Sequence, residues 1–259
     1  MKILYVTTFN KRLFKATGQK MIDSFVLHKT EGDLLIAHED GLDSVIAKHQ
    51  KIILYNLEED EWLPKWLKEN EDIIPVYLGG KFKTEDGTPT LNQRFNNRAS
   101  QWFRKIVALK ASLKYKNEYD AIVFIDSDTL FIEHLSAEKI EQIFDNASVI
   151  YHLGRHRKKE GTGIESGVIG FNLQKEGELF LDIVMEKFKS GSFRKHLRWD
   201  DGYIFRMVVE ENPNIATKDL VWEFKHGSKV KSIYIEHGPF GEYIVHYKGI
   251  HHKRYGINF

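Results

Sequence analysis

Cysteine is absent from the 259-residue chain. Disulfides and thiolate metal sites are therefore excluded, and oxygen and imidazole are the plausible ligands left for any metal. An excess of charge is missing too: 38 Lys and Arg stand against 37 Asp and Glu, a formal net charge of +1. No bulk field draws such a chain onto nucleic acid or an anionic membrane, so any anion it binds must be held locally. No stretch approaches the ~20 apolar residues of a transmembrane segment. The opening "MKILYVTTFN" offers only Ile3 to Val6, and Phe9 after two threonines, too little for the apolar region of a signal peptide. A cytoplasmic location is the resulting expectation. Low-complexity tracts, linkers and repeats are also lacking. With 42% hydrophobic and 29% charged residues, the composition suits one compact domain, 1–259, with a sizeable core.

The first half alternates short apolar runs with helical patterns: "KILYV" (2–6), a helix near 18–29, "DLLIAH" (33–38), "KIILYNL" (51–57), a long helix near 97–116, and "AIVFID" (121–126). Such alternation predicts an α/β fold with a mostly parallel sheet covered by helices. In the long helix Ala99, Trp102, Phe103, Ile106, Leu109 and Leu113 recur at three- and four-residue steps and build one core-facing stripe. Arg98, Gln101 and Lys105 line its flank. Beyond residue 130 the texture changes. The stretch 148–173 reads as two strands around a glycine-rich basic loop. Helices near 175–189 and 200–211 follow, then a polar, histidine-rich tail.

"IVFIDSDTLF" (122–131) runs an apolar strand into two aspartates one residue apart. On a continuing strand, alternate side chains share a face, which would hold Asp126 and Asp128 roughly 6 to 7 Å apart at their α-carbons. At an effective dielectric of 20 their repulsion is about 2 to 3 kcal/mol, which a cation or a shared proton relieves. Ligands of open α/β sheets bind beyond the carboxyl ends of the strands, where this pair sits. The aspartates are thus candidate ligands of a divalent cation, against the plainer alternative of a solvated turn.

Two enzyme classes use such a pattern. Haloacid-dehalogenase phosphatases carry Asp-x-Asp-x-Thr after a strand, with Asp126 then the nucleophile and Asp128 the acid. Nucleotide-sugar glycosyltransferases of the GT-A fold use Asp-x-Asp to hold metal and diphosphate. The phosphatase signature normally opens its domain, whereas here strands and helices come first. The later acidic pair, Asp200 and Asp201, follows "FRKHLRW", which is not an apolar strand.

Taken together, "VTTFN" with "GQKMIDSF", "FRKIVALKASLKYKNEYDAIVFIDSDTLF", "YHLGR", "ESGVIGFNL", "WDDGYIF" and "HYKGIHHKR" resemble, in order, the GT-A glycosyltransferases, in particular a bacterial and viral branch similar to family 8 enzymes. The motifs span nearly the whole chain. The resemblance implies a nucleotide-binding half (1–130) and a sugar and acceptor half (131–259). It implies Mn²⁺ or Mg²⁺ held by Asp126 and Asp128, with His246 as third ligand and imidazole tilting the preference toward Mn²⁺.

The same resemblance implies roles for further residues. Thr7, Thr8, Phe9 and Asn10 would meet the base or ribose, and Ser127 and Gly167 the donor. Lys105, and after it Arg98, would reach toward the donor over the sheet edge. Lys248, His252, Lys253 and Arg254 would clamp the diphosphate; the family's His-x-x-Gly-x-x-Lys pattern is kept at Gly249 but has His252 where lysine is expected. Glu165 would bond sugar hydroxyls, with Ser166 and Gly167 behind it, the glycine permitting close backbone approach. Asp200 reads as a helix N-cap. Asp201 is the candidate general base if the reaction inverts configuration, and a positioning group if it retains. Arg155 and His156 fall on the acceptor side.

The function implied is transfer of a sugar from a nucleotide diphosphate sugar to a hydroxyl of a glycan or lipid-linked acceptor. The alternatives are a phosphatase built on "DSDTL" and a catalytically silent sugar-nucleotide binder on the same fold.

Overall fold

The computed structural model describes residues 1–46, 48–73, 98–153, 163–220, 235 and 238–247. Nine strands are described: β1 (Ile3–Phe9), β2 (Asp33–His38), β3 (Ile52–Asn56), β4 (Ala121–Ile125), β5 (Thr129–Phe131), β6 (Val149–Leu153), β7 (Ile164–Asn172), β8 (Thr217–Asp219) and β9 (Ile244–His246). The α-helices are α1 (Lys11–Leu13), α2 (Gln19–Leu27), α3 (Leu63–Glu69), α4 (Ala99–Ser112), α5 (Ala137–Phe144), α6 (Gly177–Lys189) and α7 (Asp201–Glu211).

Seven strands form one sheet in the order β3-β2-β1-β4-β7-β6-β8, and β5 pairs with β9 in a separate two-stranded sheet. Strand pairs β1–β2, β2–β3, β1–β4 and β6–β8 are parallel, while β7 is antiparallel to both β4 and β6. Only β7 is reversed, so the sheet is mostly parallel and the expected α/β class is what the chain adopts. From β1 the order steps to β2 and β3 on one side and to β4 on the other. In such sheets ligands take the crevice at the carboxyl ends of the strands flanking this reversal of order, here β1 and β4.

Two apolar layers fix which helix covers which face. Leu4, Val6, Ile122 and Phe124 pack with Phe103, Ile106 and Leu109 of α4. Ile3, Tyr5, Val123 and Ile125 pack with Met21, Ile22 and Phe25 of α2. Alternation along β1 and β4 thus supplies both layers, as expected of a strand buried on both faces. Most of the stripe expected on the long helix is there: Ala99, Phe103, Ile106 and Leu109, with Leu113 just past its end, are buried, whereas Trp102 is half-buried.

The strands and helices expected from the sequence lie within a few residues of their observed bounds, with β1 continuing to Phe9. The sequence pattern gives no sign of α1, α3, α5, β5, β8 or β9. Among the described residues no helix is long and apolar enough to cross a membrane.

Candidate metal and donor site

Strand β4 ends at Ile125 and β5 begins at Thr129, so Asp126-Ser127-Asp128 is a turn between strands rather than the extension of one. The turn closes with Thr129 N–H donating to the Asp126 carbonyl at 3.1 Å. Strand alternation is therefore not what brings the two carboxylates together, contrary to the expectation from the sequence. The turn folds them toward β9, where His246 lies opposite Thr129. Tyr247 N–H donates to the Asp128 carbonyl at 2.8 Å and ties the end of β9 to the turn.

His246 Nε2 stands 3.0 Å from Asp128 Oδ1 and 3.7 Å from Asp126 Oδ2. The three residues offer ligand atoms that all lie within 4.8 Å of one another. Side-chain exposure is 4% for His246 but 29% for Asp126 and 32% for Asp128, so the carboxylates form an open rim over a buried imidazole. Burial alone would push the His246 pKa down. The hydrogen bond that His246 donates to Asp128, and the charges of Asp128, Asp126 and Glu165, outweigh it and hold the imidazole above its ordinary value.

Room for that ring comes from Gly167. A Cβ built there would lie 2.5 Å from His246 Cε1 and 2.9 Å from Nδ1. The close approach expected at this glycine is real, but the group that approaches is the histidine.

The donor set suits a divalent ion. Two ligands about 2.1 Å from an octahedral ion and at right angles lie about 3.0 Å apart. The Asp128–His246 contact is a 3.0 Å hydrogen bond, close to that spacing, and a mixed oxygen and imidazole set suits a divalent ion.

Behind the rim, Lys105 of α4 is buried rather than lying along a solvated flank. Its Nζ is 3.0 Å from Asp126 Oδ1 and 2.6 Å from Asp201 Oδ2. It also donates to the Ser166 carbonyl at 3.0 Å and hydroxyl at 3.1 Å, and lies 4.4 Å from the Phe124 ring centroid. Burial would lower the pKa of this lysine, but the Asp126 and Asp201 charges more than reverse that and hold it above its ordinary value.

Asp201 opens α7, which sits tightly against β7. A Cβ at Gly202 would come within 2.3 Å of the Ile164 carbonyl oxygen, and one at Gly163 within 2.8 Å of the Gly202 backbone. Two glycines thus let the helix end approach the strand and carry Asp201 to Lys105. Asp200 is the N-cap expected of it, accepting from Tyr203 N–H at 3.2 Å. Arg198, which the sequence reading passed over, clamps the same carboxylate with two bonds of 2.7 and 2.8 Å. Burial raises the Asp200 pKa, and Arg198 works against that rise.

The remaining candidates fall into three groups. At the end of β1, Thr7 is fully buried and its Oγ1 has no hydrogen-bond partner among the described residues, while Thr8 is half-buried. Phe9 is in the core, its ring 5.8 Å from Phe14 and against Gly18, so it has no face to offer a base. The Asn10 side chain accepts from Leu13 N–H at 3.0 Å and caps α1. Glu165 lies half-buried on β7 opposite His152 of β6, and Ser127 is buried between the aspartates. Arg98 is the residue before α4. Lys248, Gly249, His252, Lys253, Arg254, Arg155 and His156 lie outside the described residues.

One buried group near this site went unremarked in the sequence. His152 is fully buried, and burial together with the His246 charge pushes its pKa down to about 4. A histidine in an apolar strand carries no local signal that would distinguish it.

No protein-family model and no curated protein matches the chain. Among solved structures the chain is similar to mouse xyloside xylosyltransferase 1 in its apo form, at 16% identity over 85% of each chain and a TM-score of 0.48. It is also similar to the glycosyltransferase GlyE of Streptococcus pneumoniae TIGR4, at 12% identity and a TM-score of 0.47, covering 87% of this chain and 47% of that one.

Proposed function

We propose that the chain is a metal-dependent glycosyltransferase of the GT-A type, moving a sugar from a UDP- or GDP-sugar to a hydroxyl of a glycan or lipid-linked acceptor. The observation that carries this reading is the convergence of Asp126, Asp128 and His246 at the end of β4, beside the crevice between β1 and β4. Residues 1–130 form the nucleotide-binding half and 131–259 the sugar and acceptor half.

Asp126, Asp128 and His246 hold Mn²⁺, or Mg²⁺ less readily. A divalent ion there supplies Lewis-acid neutralisation of the charge on the departing nucleotide, a contribution of several kcal/mol. Thr8, with the Asn10 backbone, lines the nucleotide end of the crevice, and Thr7, buried at the end of β1, supports it from below. Phe9, buried against Phe14, shapes that end from below rather than stacking on a base. Lys248, His252 and Lys253 clamp the diphosphate. Ser127 and Gly167 border the donor, and Glu165 bonds sugar hydroxyls.

Asp201 has its Oδ2 against Lys105 and only 3% of its side chain exposed. A general base must reach the acceptor proton. The burial supports a positioning role over that of a general base.

The test is a stability screen against UDP- and GDP-sugars with and without Mn²⁺, since ligand bound to the folded state raises its melting temperature by mass action. Stabilisation that needs both partners, with nucleotide released when acceptor is added, is the expected result. Turnover of a generic phosphate ester that stops with Asp126→Asn would replace this reading with a phosphatase. Donor binding with no nucleotide released over hours would reduce it to a silent binder.

A further inference from the structure

The two oxygens of Asp126 keep different company. Oδ2 faces His246 Nε2 at 3.7 Å, while Oδ1 is 3.0 Å from Lys105 Nζ. Lys105 is itself held by Asp201 Oδ2 at 2.6 Å and by the carbonyl and hydroxyl of Ser166 at 3.0 and 3.1 Å. An ammonium carries three protons. Asp126, Asp201 and Ser166 already surround this one with oxygens at 2.6 to 3.1 Å, inside the protein rather than toward a phosphate.

We propose that Lys105 and Asp201 are positioning residues for the cation site: the ammonium, anchored by Asp201 and Ser166, grips Asp126 Oδ1 and leaves Oδ2 to face the ion together with Asp128 and His246. The inference rests on the metal-dependent reading above and deepens it, because it moves Lys105 from the donor to the metal ligand. Lys105 and Asp201 carry opposite charges and cancel, so the pair contributes geometry to the site rather than net field. A carboxylate without such a partner is free to turn and offer either oxygen or both. Hydrogen-bond partners of metal ligands are worth about 10- to 100-fold in metal affinity.

The charge cancellation makes a clean test available. The double variant Lys105→Met/Asp201→Asn removes one positive and one negative charge, so a change in affinity reads geometry. Free Mn²⁺ is titrated by electron paramagnetic resonance, and the visible absorption of bound Co²⁺ reports the coordination shell. Wild type and Asp126→Asn are measured alongside. The expected result is Mn²⁺ binding weakened about 10- to 100-fold in the double variant, with an altered Co²⁺ spectrum. Wild-type affinity and an unchanged spectrum would overturn the inference while leaving the metal site intact. A wild type that binds no Mn²⁺ would bring down both the inference and the functional reading. Should the double variant fail to fold by circular dichroism, Ser166→Ala removes one bond to Lys105 without touching charge. It is expected to bind Mn²⁺ a few-fold more weakly with the same spectral change, and wild-type behaviour in it would equally overturn the proposal.

Discussion

Two clusters of carboxylate and nitrogen meet at Asp126, and they differ in how much water they see. Behind the turn, Lys105 and Asp201 are 7% and 3% exposed and their charges balance. At the rim, Asp126 and Asp128 are 29% and 32% exposed, and His246 lies close to both. The buried cluster is complete without a ligand. The rim is open to water and gathers two carboxylates and an imidazole, a donor set that a cation can use. Similar side chains thus do different work according to solvent and charge balance.

The largest effect should come from breaking the buried side. Lys105→Met alone strands Asp201 without its partner in a buried position, a loss of about 3 to 5 kcal/mol, read by denaturant unfolding. Restoring the balance with Asp201→Asn should recover much of that stability, and no recovery would mean that the lysine matters for packing alone.

Next comes His152, the neutral histidine behind the rim. Its folded pKa of about 4 lies below the ordinary 6.5, so the unfolded chain takes up a proton first as pH falls. The stability it contributes is full above pH 6.5 and is lost between about 6.5 and 4, a change of about 3 kcal/mol. Melting curves of wild type and His152→Leu over this window should differ in slope by that amount, whereas parallel curves would show that His152 titrates normally.

A smaller effect is expected where the rim meets its support. Gly167→Ala places a methyl 2.5 Å from His246 Cε1, and overpacking of this kind costs about 1 to 3 kcal/mol. Mn²⁺ affinity should fall with it, because the displaced group is a ligand. Unaltered metal binding would show that the ring shifts without leaving the site.

The outer surface gives the smallest effect. Lys110 and Asp182 pair across α4 and α6 with 34% and 47% exposure. Exposed pairs contribute about 0 to 1 kcal/mol, so Lys110→Met should leave unfolding nearly unchanged, and a loss as large as that at Lys105 would erase the contrast between buried and exposed pairs.

Much of the sheet was legible because β1, β2 and β4 are buried on both faces and read as unbroken apolar runs. The stripe of α4 was legible for the same kind of reason, a period matched to one covered face. Strands β5 and β9 are only three residues each, too short for any period to show. They are nevertheless what delivers His246 to the turn. The Asp-x-Asp pair could be found from the motif, and His246 from the family resemblance. Lys105 was legible as a basic position beside the stripe, but its burial was not. Its partners Asp201 and Ser166 arrive from distant parts of the chain, and no local pattern encodes an ion pair of that span. The glycines were visible as glycines, yet what each one makes room for, His246 at Gly167 and the Ile164 carbonyl at Gly202, is a fact of packing.

The central claim is that the Asp126, Asp128 and His246 rim holds a cation that a nucleotide diphosphate sugar needs. Calorimetric titration of UDP- and GDP-sugars into wild type and Asp128→Asn, each with and without Mn²⁺, tests it most directly. The account requires donor binding that depends on Mn²⁺ in wild type and is weakened at least about 10-fold in Asp128→Asn, since a metal ligand counts for at least as much as its supporting partners. Donor binding of equal strength in both proteins, or unaffected by Mn²⁺, would contradict it.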